Sequence, residues 1–306
     1  MKFENKGLIF KPNGQYGFIN SHAQVPTVLV REKYIRVYFS TRQKPGQSLT
    51  TFVDLDINNF SNIIYLHDKP IIELGQAGSF DEHGIMPDCV IEHNGLIYLY
   101  YSGWQRCVTP PYQNFTGLAI SEDGGTTFRR YSKGPIIDRT PFELYSATSC
   151  CVYKEQEKWH MYYTSGTHWH KINNQYEHTF DIKYAFSDDG KKWAQTGQII
   201  IKPSDQFEAI ARPSIYKKDN SFHMLYCYRG SHGFRNGHNS YKIGYARSED
   251  LITWKRNDSF LETEFKKEWD SEMQAYPCIV QIHNQLYLFY NGNGFGKEGF
   301  GYAQIK

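Results

Sequence analysis

The sequence predicts an all-β protein: a five-bladed β-propeller of four-stranded antiparallel blades, with residues 1–306 forming a single domain. Three observations carry this. A segment made of a turn, an apolar strand, a polar hairpin and an aromatic-rich strand recurs five times. A further short strand follows each recurrence, and no stretch of the chain carries a helical period. Four short antiparallel strands, repeated around an axis, are what such a pattern builds.

The five segments are QVPTVLVREKYIRVYFSTR, IMPDCVIEHNGLIYLYYSGW, TSCCVYKEQEKWHMYYTSG, ARPSIYKKDNSFHMLYCYRG and AYPCIVQIHNQLYLFYNGNG. Their anchors are Pro26, Pro87, Ser149, Pro213 and Pro277, at intervals of 61, 62, 64 and 64 residues. The third strands read TTFVDLD, GLAISEDGG, IKYAFSDDG, IGYARSEDL and FGYAQIK, and KPIIEL, GPIID and GQIII are the candidate fourth strands. Turn signals such as HNG, DGG and DDG separate them. The last repeat ends on its third strand, so GLIFKP at the N-terminus is expected to supply the missing outer strand and close the ring.

Composition agrees with many half-buried strands. Aromatic residues make up 16% of the chain, 24 of them tyrosine, and mean hydropathy is −0.61. No apolar run is long enough for a membrane-spanning helix, and the opening MKFENKGLIFKPNG lacks the apolar core of a signal peptide, so a cytoplasmic location is expected. A net charge of +2 gives no reason to invoke nucleic acid. The six cysteines show no CxxC spacing and read as reduced core residues. No HxH or HExxH spacing occurs, so neither a metal nor a cofactor is expected. NGNGFG links two antiparallel strands and opens no helix, so it reads as a tight turn carrying Asn291 and Asn293 towards the cavity, not a phosphate loop. SEDGGTTF, with Ser121 and Asp123, reads as a hairpin device.

In a propeller the first strand of each blade lines the axis, so the residues just before each anchor should converge on one cavity. Those entrances read NSHAQV, FDEHGIM, FELYSAT, FEAIAR and WDSEMQAY. Carboxylates recur in them: Asp81 and Glu82, Glu143, Glu208, then Asp270 and Glu272. Paired carboxyl groups over a shared pocket are what glycoside cleavage needs, one to protonate the leaving oxygen and one to activate water or attack carbon. Asp270, Glu272, Asp81, Glu82 and Glu143 are therefore the catalytic candidates. The plainer alternative for Asp270 and Glu272 is a solvated rim or an ion pair with a neighbouring-blade arginine, and for Glu143 and Glu208 it is a loop stapled by Phe142 and Phe207. Substrate-binding candidates are His22, Arg42, Trp104, Glu208, Arg212, Arg229, Tyr276 and Asn293. If Arg42, Arg212 and Arg229 converge, the ligand is anionic.

This pattern resembles the propeller superfamily of arabinanases, β-xylosidases, invertases and mannoside phosphorylases. The likeness spans the chain and rests on the repeat length, on IMPDCV and ARPSIY, and on SDDGKKW and SEDLITW. More closely, HAQVPT, YFSTR, FDEHGIMPD, LYYSGW, WDSEM and YNGNGFG are similar to a bacterial family associated with surface-polysaccharide clusters. The superfamily resemblance implies an Asp just before the first proline, an Asp on blade two and a Glu near the third entrance. Here Val25 precedes Pro26, Met86 precedes Pro87, and Ala147 stands two before the third anchor, while Asp88 follows its proline. The expectation is therefore a carbohydrate-active enzyme of surface-polysaccharide metabolism, glycoside hydrolase-like or glycosyl-transferring, whose chemistry has moved to the entrance acids. Its ligand would be a sugar, oligosaccharide or nucleotide sugar. The alternatives are a non-catalytic glycan-binding or assembly propeller and an acid-sugar hydrolase of sialidase type.

Overall fold

The computed structural model describes residues 1–43, 46–263 and 268–306, with all their side chains except those of Asn236 and Thr263. The chain is all-β. Strand β1 spans Lys2–Phe10. A first antiparallel set follows: β2 (Ser21–Val30), β3 (Tyr34–Arg42), β4 (Ser48–Asp56) and β5 (Asn59–Leu66). The second set is β6 (Gly84–His93), β7 (Leu96–Arg106), β8 (Tyr112–Ser121) and β9 (Arg129–Arg130). The third is β10 (Ala147–Glu155), β11 (Lys158–Ile172), β12 (Gln175–Ser187) and β13 (Ala194–Ile201). The fourth is β14 (Ala209–Lys218), β15 (Ser221–Arg229), β16 (Lys242–Ser248) and β17 (Lys255–Arg256). After the short β18 (Glu262–Thr263) come β19 (Ala275–Ile282), β20 (Gln285–Asn291) and β21 (Phe300–Ile305). Strand β1 pairs antiparallel with β21, so the first strand of the chain completes its last set.

Second strands such as LIYLYYSG are buried on both faces, because each lies between two strands and between two neighbouring sets. Continuous aromatic and β-branched sequence suits that position better than alternation does. Five apolar clusters fill the spaces between consecutive sets. One joins Tyr38 and Phe52 of the first to Leu99 and Tyr101 of the second, and another joins Phe39 of the first to Phe289 and Phe300 of the fifth. Burying each such ring contributes about 1.5–3 kcal/mol.

The outer strands differ from the sequence expectation. In the first set the fourth strand is Asn59–Leu66, and KPIIEL lies beyond it, where Ile71 donates its amide to Thr50. In the second set GPIID makes only a single bridge, Ile137 to Thr116. GQIII falls within β13 as expected. The serine–aspartate turns behave as hairpin devices. Ser121 Oγ accepts from the Gly125 amide at 2.8 Å and Asp123 from the Thr126 amide at 2.9 Å, and Ser187–Asp189 and Ser248–Asp250 repeat the arrangement. All six cysteines are free thiols.

Every first strand carries a register shift against its second strand. At four of these β-bulges a non-glycine residue holds positive φ: Val25 at 57°, Ser149 at 52°, Arg212 at 57° and Tyr276 at 57°. Bulges re-aim side chains where a strand ends at a site, and a left-handed conformation at these residue types is costly enough to need surrounding structure to hold it.

Candidate functional site

The starts of the five first strands converge, as expected from the repeat. Gln24, Met86, Thr148, Ala211 and Tyr276 all line one cavity of about 500 Å³. Its walls are aromatic: Trp104, Tyr112, Phe180, Phe234, Tyr241 and Phe295. Trp104 and Tyr112 have centroids 4.9 Å apart, Tyr112 and Trp169 also 4.9 Å, and Trp169 stacks on His178 at 3.9 Å. Burial, with Arg229 nearby, holds the His178 imidazole well below its ordinary pKa, hence neutral. A side pouch of about 220 Å³ shares Arg42, Met86, Trp104 and Tyr112 with this cavity and reaches His83 and Arg106.

Three arginines enter the main cavity and one carboxylate faces them. Arg42 donates from Nε to Gln24 Oε1 at 2.9 Å and is otherwise open to solvent. Arg229 donates to the carbonyls of Gly230 (3.0 Å) and His178 (2.9 Å) and stacks over Phe234 at 3.7 Å. Arg235 grips Glu177 with both terminal nitrogens, Nη2 to Oε2 at 3.0 Å. Glu177 is the one carboxylate among the described lining residues, so the lining carries a net positive charge. A planar guanidinium with free donors beside aromatic faces suits a sugar bearing a phosphate or carboxylate.

Thr148 and Ser149 connect the cavity to a buried axial network. Thr148 Oγ1 donates to Ser102 Oγ at 2.6 Å, and Ser102 donates to Asp88 at 2.8 Å. Arg212 reaches across the axis from the fourth set to the Asp88 carbonyl of the second and to Thr27 Oγ1 of the first (2.8 Å). Its guanidinium stands 3.7 Å from the Asp88 carboxylate. Burial nevertheless pushes the Asp88 carboxyl up to about 7.

The entrance acids behave differently. Asp81 accepts from the Tyr101 hydroxyl (2.9 Å) and Arg130 (2.7 Å). Glu143 accepts from the Tyr163 hydroxyl (2.9 Å) and Thr140, with Lys183 at 3.5 Å. Asp270 accepts from the Tyr290 hydroxyl and Asn5, both at 2.6 Å. In each, the tyrosine lies 20 residues after the acid, opposite the bulge of its own set. In the fourth set Arg256 takes the tyrosine's place, holding Glu208 through both oxygens at 2.7 and 2.8 Å, while Tyr226 donates to Asp258. The first set has no entrance acid, and Phe39 stands where the others have tyrosine. These carboxylates form a repeated latch between the entrance loop, the second strand and the outer strands.

No family model matches the chain. Two proteins of Mycobacterium tuberculosis, the uncharacterized proteins Rv1502 (strain H37Rv) and MT1551 (strain CDC 1551), are each 31% identical to it over 313 residues, covering 100% of both chains. The chain belongs to their family. Among solved structures, this Rv1502-family chain is similar to a glycoside hydrolase (TM-score 0.72, 16% identity, 99% of this chain and 90% of the other). It is also similar to a thermostable family-43 glycoside hydrolase (TM-score 0.66, 17% identity, 97% and 91%) and to an alpha-L-arabinofuranosidase from Lactobacillus brevis (TM-score 0.69, 12% identity, 95% and 93%). At those identities the likeness establishes the fold alone: the Rv1502-family chain shares the all-β architecture of these glycoside hydrolases.

Several sequence-predicted residues of this family member stand elsewhere than expected. Asp81, Glu143, Glu208 and Asp270 do not line the axial cavity, because each is buried in its latch. Glu82 caps its own turn, accepting the Gly78 amide at 2.7 Å, and Glu272 is exposed on the surface. Asn293 also turns away from the cavity, accepting the amides of Glu272 and Met273, and Asn291 ties the Val25 amide to the Ala23 and Gly299 carbonyls. Arg212 is an axial pin without a place in the lining. His22 sits behind Arg42 and does not line the cavity, and burial together with that arginine lowers its pKa to about 4. Arg42, Trp104, Arg229 and Tyr276 do line it. Glu177, Arg235, Tyr112, Phe234 and Tyr241 went unforeseen. All five come from β12 or from segments around β8, β15 and β16, outside the anchor pattern.

Proposed function

We propose that the chain is a carbohydrate-active enzyme, a single five-bladed propeller over residues 1–306 closed by pairing of β1 with β21, which transfers or releases a sugar from an anionic donor in the axial cavity. The observation that carries this reading is the lining itself: Arg42, Arg229 and Arg235 against one carboxylate, Glu177, between aromatic walls. Hydrolysis by two carboxylates needs a second acid to protonate a poor leaving group. A sugar phosphate or nucleotide sugar does not, because phosphate departs as a stable anion and arginines can hold its charge. One carboxylate is then enough, taking the proton from the attacking hydroxyl as the bond from the anomeric carbon to phosphate oxygen breaks. Arg235 is 53% exposed in its side chain, so it is free to swing to the arriving phosphate, and release of the enclosed Glu177 carboxylate, 7% exposed, raises its basicity for the proton transfer. The side pouch ending at Arg106 offers room for the rest of such a donor.

The lone carboxylate also favours a second reading, a propeller that binds anionic glycans without turning them over. The test separates the two. Purified protein is incubated with nucleotide sugars, sugar 1-phosphates and uronic-acid glycosides, and anomeric protons are followed by NMR. Turnover of a phosphate donor, reduced at least tenfold in both Glu177→Gln and Arg42→Ala, is expected. Saturable binding without a new anomeric signal leaves the binding reading. Turnover unaffected by either substitution removes the axial cavity from the chemistry altogether.

A further inference from the structure

A second cavity, of about 520 Å³, is lined by strands β11 and β12 of the third set and by the linker to the fourth, and shares no lining residue with the site described above. Thr167, His168, His170, Thr179 and Asp181 line one side, and the linker 202–206 lines the other. The His168 and His170 rings contact one another with centroids 4.4 Å apart. His170 Nε2 lies 2.9 Å from the Gln206 carbonyl, so that nitrogen is the donor and Nδ1 is free to accept.

Asp181 is the unusual member. It is only 3% exposed, and its Oδ1 has no hydrogen-bond partner. The buried entrance acids of the same fold all have partners, so an orphaned oxygen on a buried carboxylate sets Asp181 apart from them. Its nearest cation, Lys183, is committed to Glu143 and to the Phe142 carbonyl. Ser165, the cross-strand partner of Asp181, also has an unpartnered hydroxyl. Leaving such groups buried and unsatisfied is costly, and in native proteins such a group is met by an ordered water, an ion or a functional role. Burial raises the Asp181 carboxyl to about 6, which leaves it ionised at neutral pH.

We propose that this cavity is a second binding site, for a sugar residue carrying a free amino group, with Asp181 as the counter-ion of the ammonium. The hydroxyls of Thr167 and Thr179 and the imidazoles of His168 and His170 supply donors and acceptors for ring hydroxyls, and the volume falls in the range of small-molecule sites. Lys202, Asp205 and Glu208 also line the cavity, Glu208 already paired with Arg256, so the lining suits a cationic ligand. The site does not depend on the chemistry assigned to the axial cavity.

The test uses the full chain and three probes: glucosamine, N-acetylglucosamine and glucose, titrated by ligand-observed NMR at pH 7.5. Glucosamine is expected to bind at least tenfold more tightly than the other two. That preference should vanish in Asp181→Asn and in Asp181→Ser, and survive in Arg42→Ala, which alters the axial cavity and its side pouch but no residue of this lining. Thermal unfolding checks the variants: Asp181→Asn should melt at or above the wild-type temperature, since it removes a buried charge. Equal binding of glucosamine and glucose, glucosamine binding retained in the folded Asp181 variants, or no binding up to tens of millimolar would each overturn the proposal.

Discussion

The entrance latches and the axial cavity both pair carboxylates with cations, yet they are built differently. In the latches the acid, the tyrosine and the cation or amide belong mostly to one set and its outer strand, and the acid is almost fully enclosed. In the cavity Glu177 comes from the third set and Arg235 from the loop following β15, and the arginine faces solvent. The first arrangement recurs with the fold, so its purpose is common to every set that has it. The second occurs once, which is what a site needs. The contrast predicts opposite behaviour on substitution. Asp81→Ala strands the Tyr101 hydroxyl and leaves Arg130, only 25% exposed, without its carboxylate. Breaking a buried pair costs about 3–5 kcal/mol, and because Arg130 can partly rehydrate the expected loss is about 3 kcal/mol by urea denaturation, with ligand binding by the folded fraction intact. Glu177→Gln, the variant that tests the proposed function, should by contrast cost about 1–2 kcal/mol: Glu177 is as enclosed as a latch acid, but the amide oxygen can still accept from Arg235, which is 53% exposed and hydrates its own charge. Equal destabilisation by the two would erase the distinction.

Asp88 sharpens the comparison from a third position, buried like a latch acid but held above its ordinary range. Its cause is burial, opposed by Arg212 and Ser102. The sign follows from linkage. In the unfolded chain the carboxyl titrates near 3.8, and in the folded chain near 7, so between those values the folded state binds more protons. Asp88 therefore favours folding fully below about pH 4, loses that contribution as pH rises towards 7, and is flat above. The stability difference between wild type and Asp88→Asn should fall by on the order of 4 kcal/mol across that window. Urea melts at pH 4.5, 5.5, 6.5 and 7.5 measure it. A difference that stays level or grows would mean that Arg212, 3.7 Å away, keeps Asp88 ionised after all.

Periodicity made the architecture legible and misdirected the search for the site. The repeat located β2, β6, β10, β14 and β19, the convergence of Gln24, Met86, Thr148, Ala211 and Tyr276, and the role of β1 beside β21. The same repeat drew attention to Asp81, Glu143, Glu208 and Asp270 because acids recur at entrances. Recurrence is what a structural device shares with the fold, however, and the acid-to-tyrosine spacing of 20 residues was a sign of it in the sequence. Glu177 and Arg235 left no such trace. They are 58 residues apart, outside any anchor, and only the long β11–β12 hairpin brings Glu177 over the cavity. Outer strands were misread for a related reason: KPIIEL is apolar because it packs under the next set, beside Phe80 and Phe128, while the Ile71 amide still bonds to Thr50 of its own set.

The smallest expected effect tests whether distance or burial sets the strength of these pairs. Lys217 and Glu155 join the fourth set to the third at 2.6 Å, a separation shorter than that of Arg130 and Asp81 at 2.7 Å. If contact distance governed the energy, Lys217→Ala would cost as much as Asp81→Ala. Both Lys217 and Glu155 are substantially exposed, at 40% and 29%, so water screens their attraction and solvates either partner once the other is gone. The expected loss is about 0.5 kcal/mol, and it should fade further between 0.05 and 0.5 M salt on the order of a Debye-length effect. Part of what remains at high salt would come from the Lys217 stem, whose ammonium lies 5.2 Å from the Phe222 ring, and not from the ion pair. A salt-independent loss of several kcal/mol would mean that contacts between sets, and not the enclosed latches within them, hold this fold together.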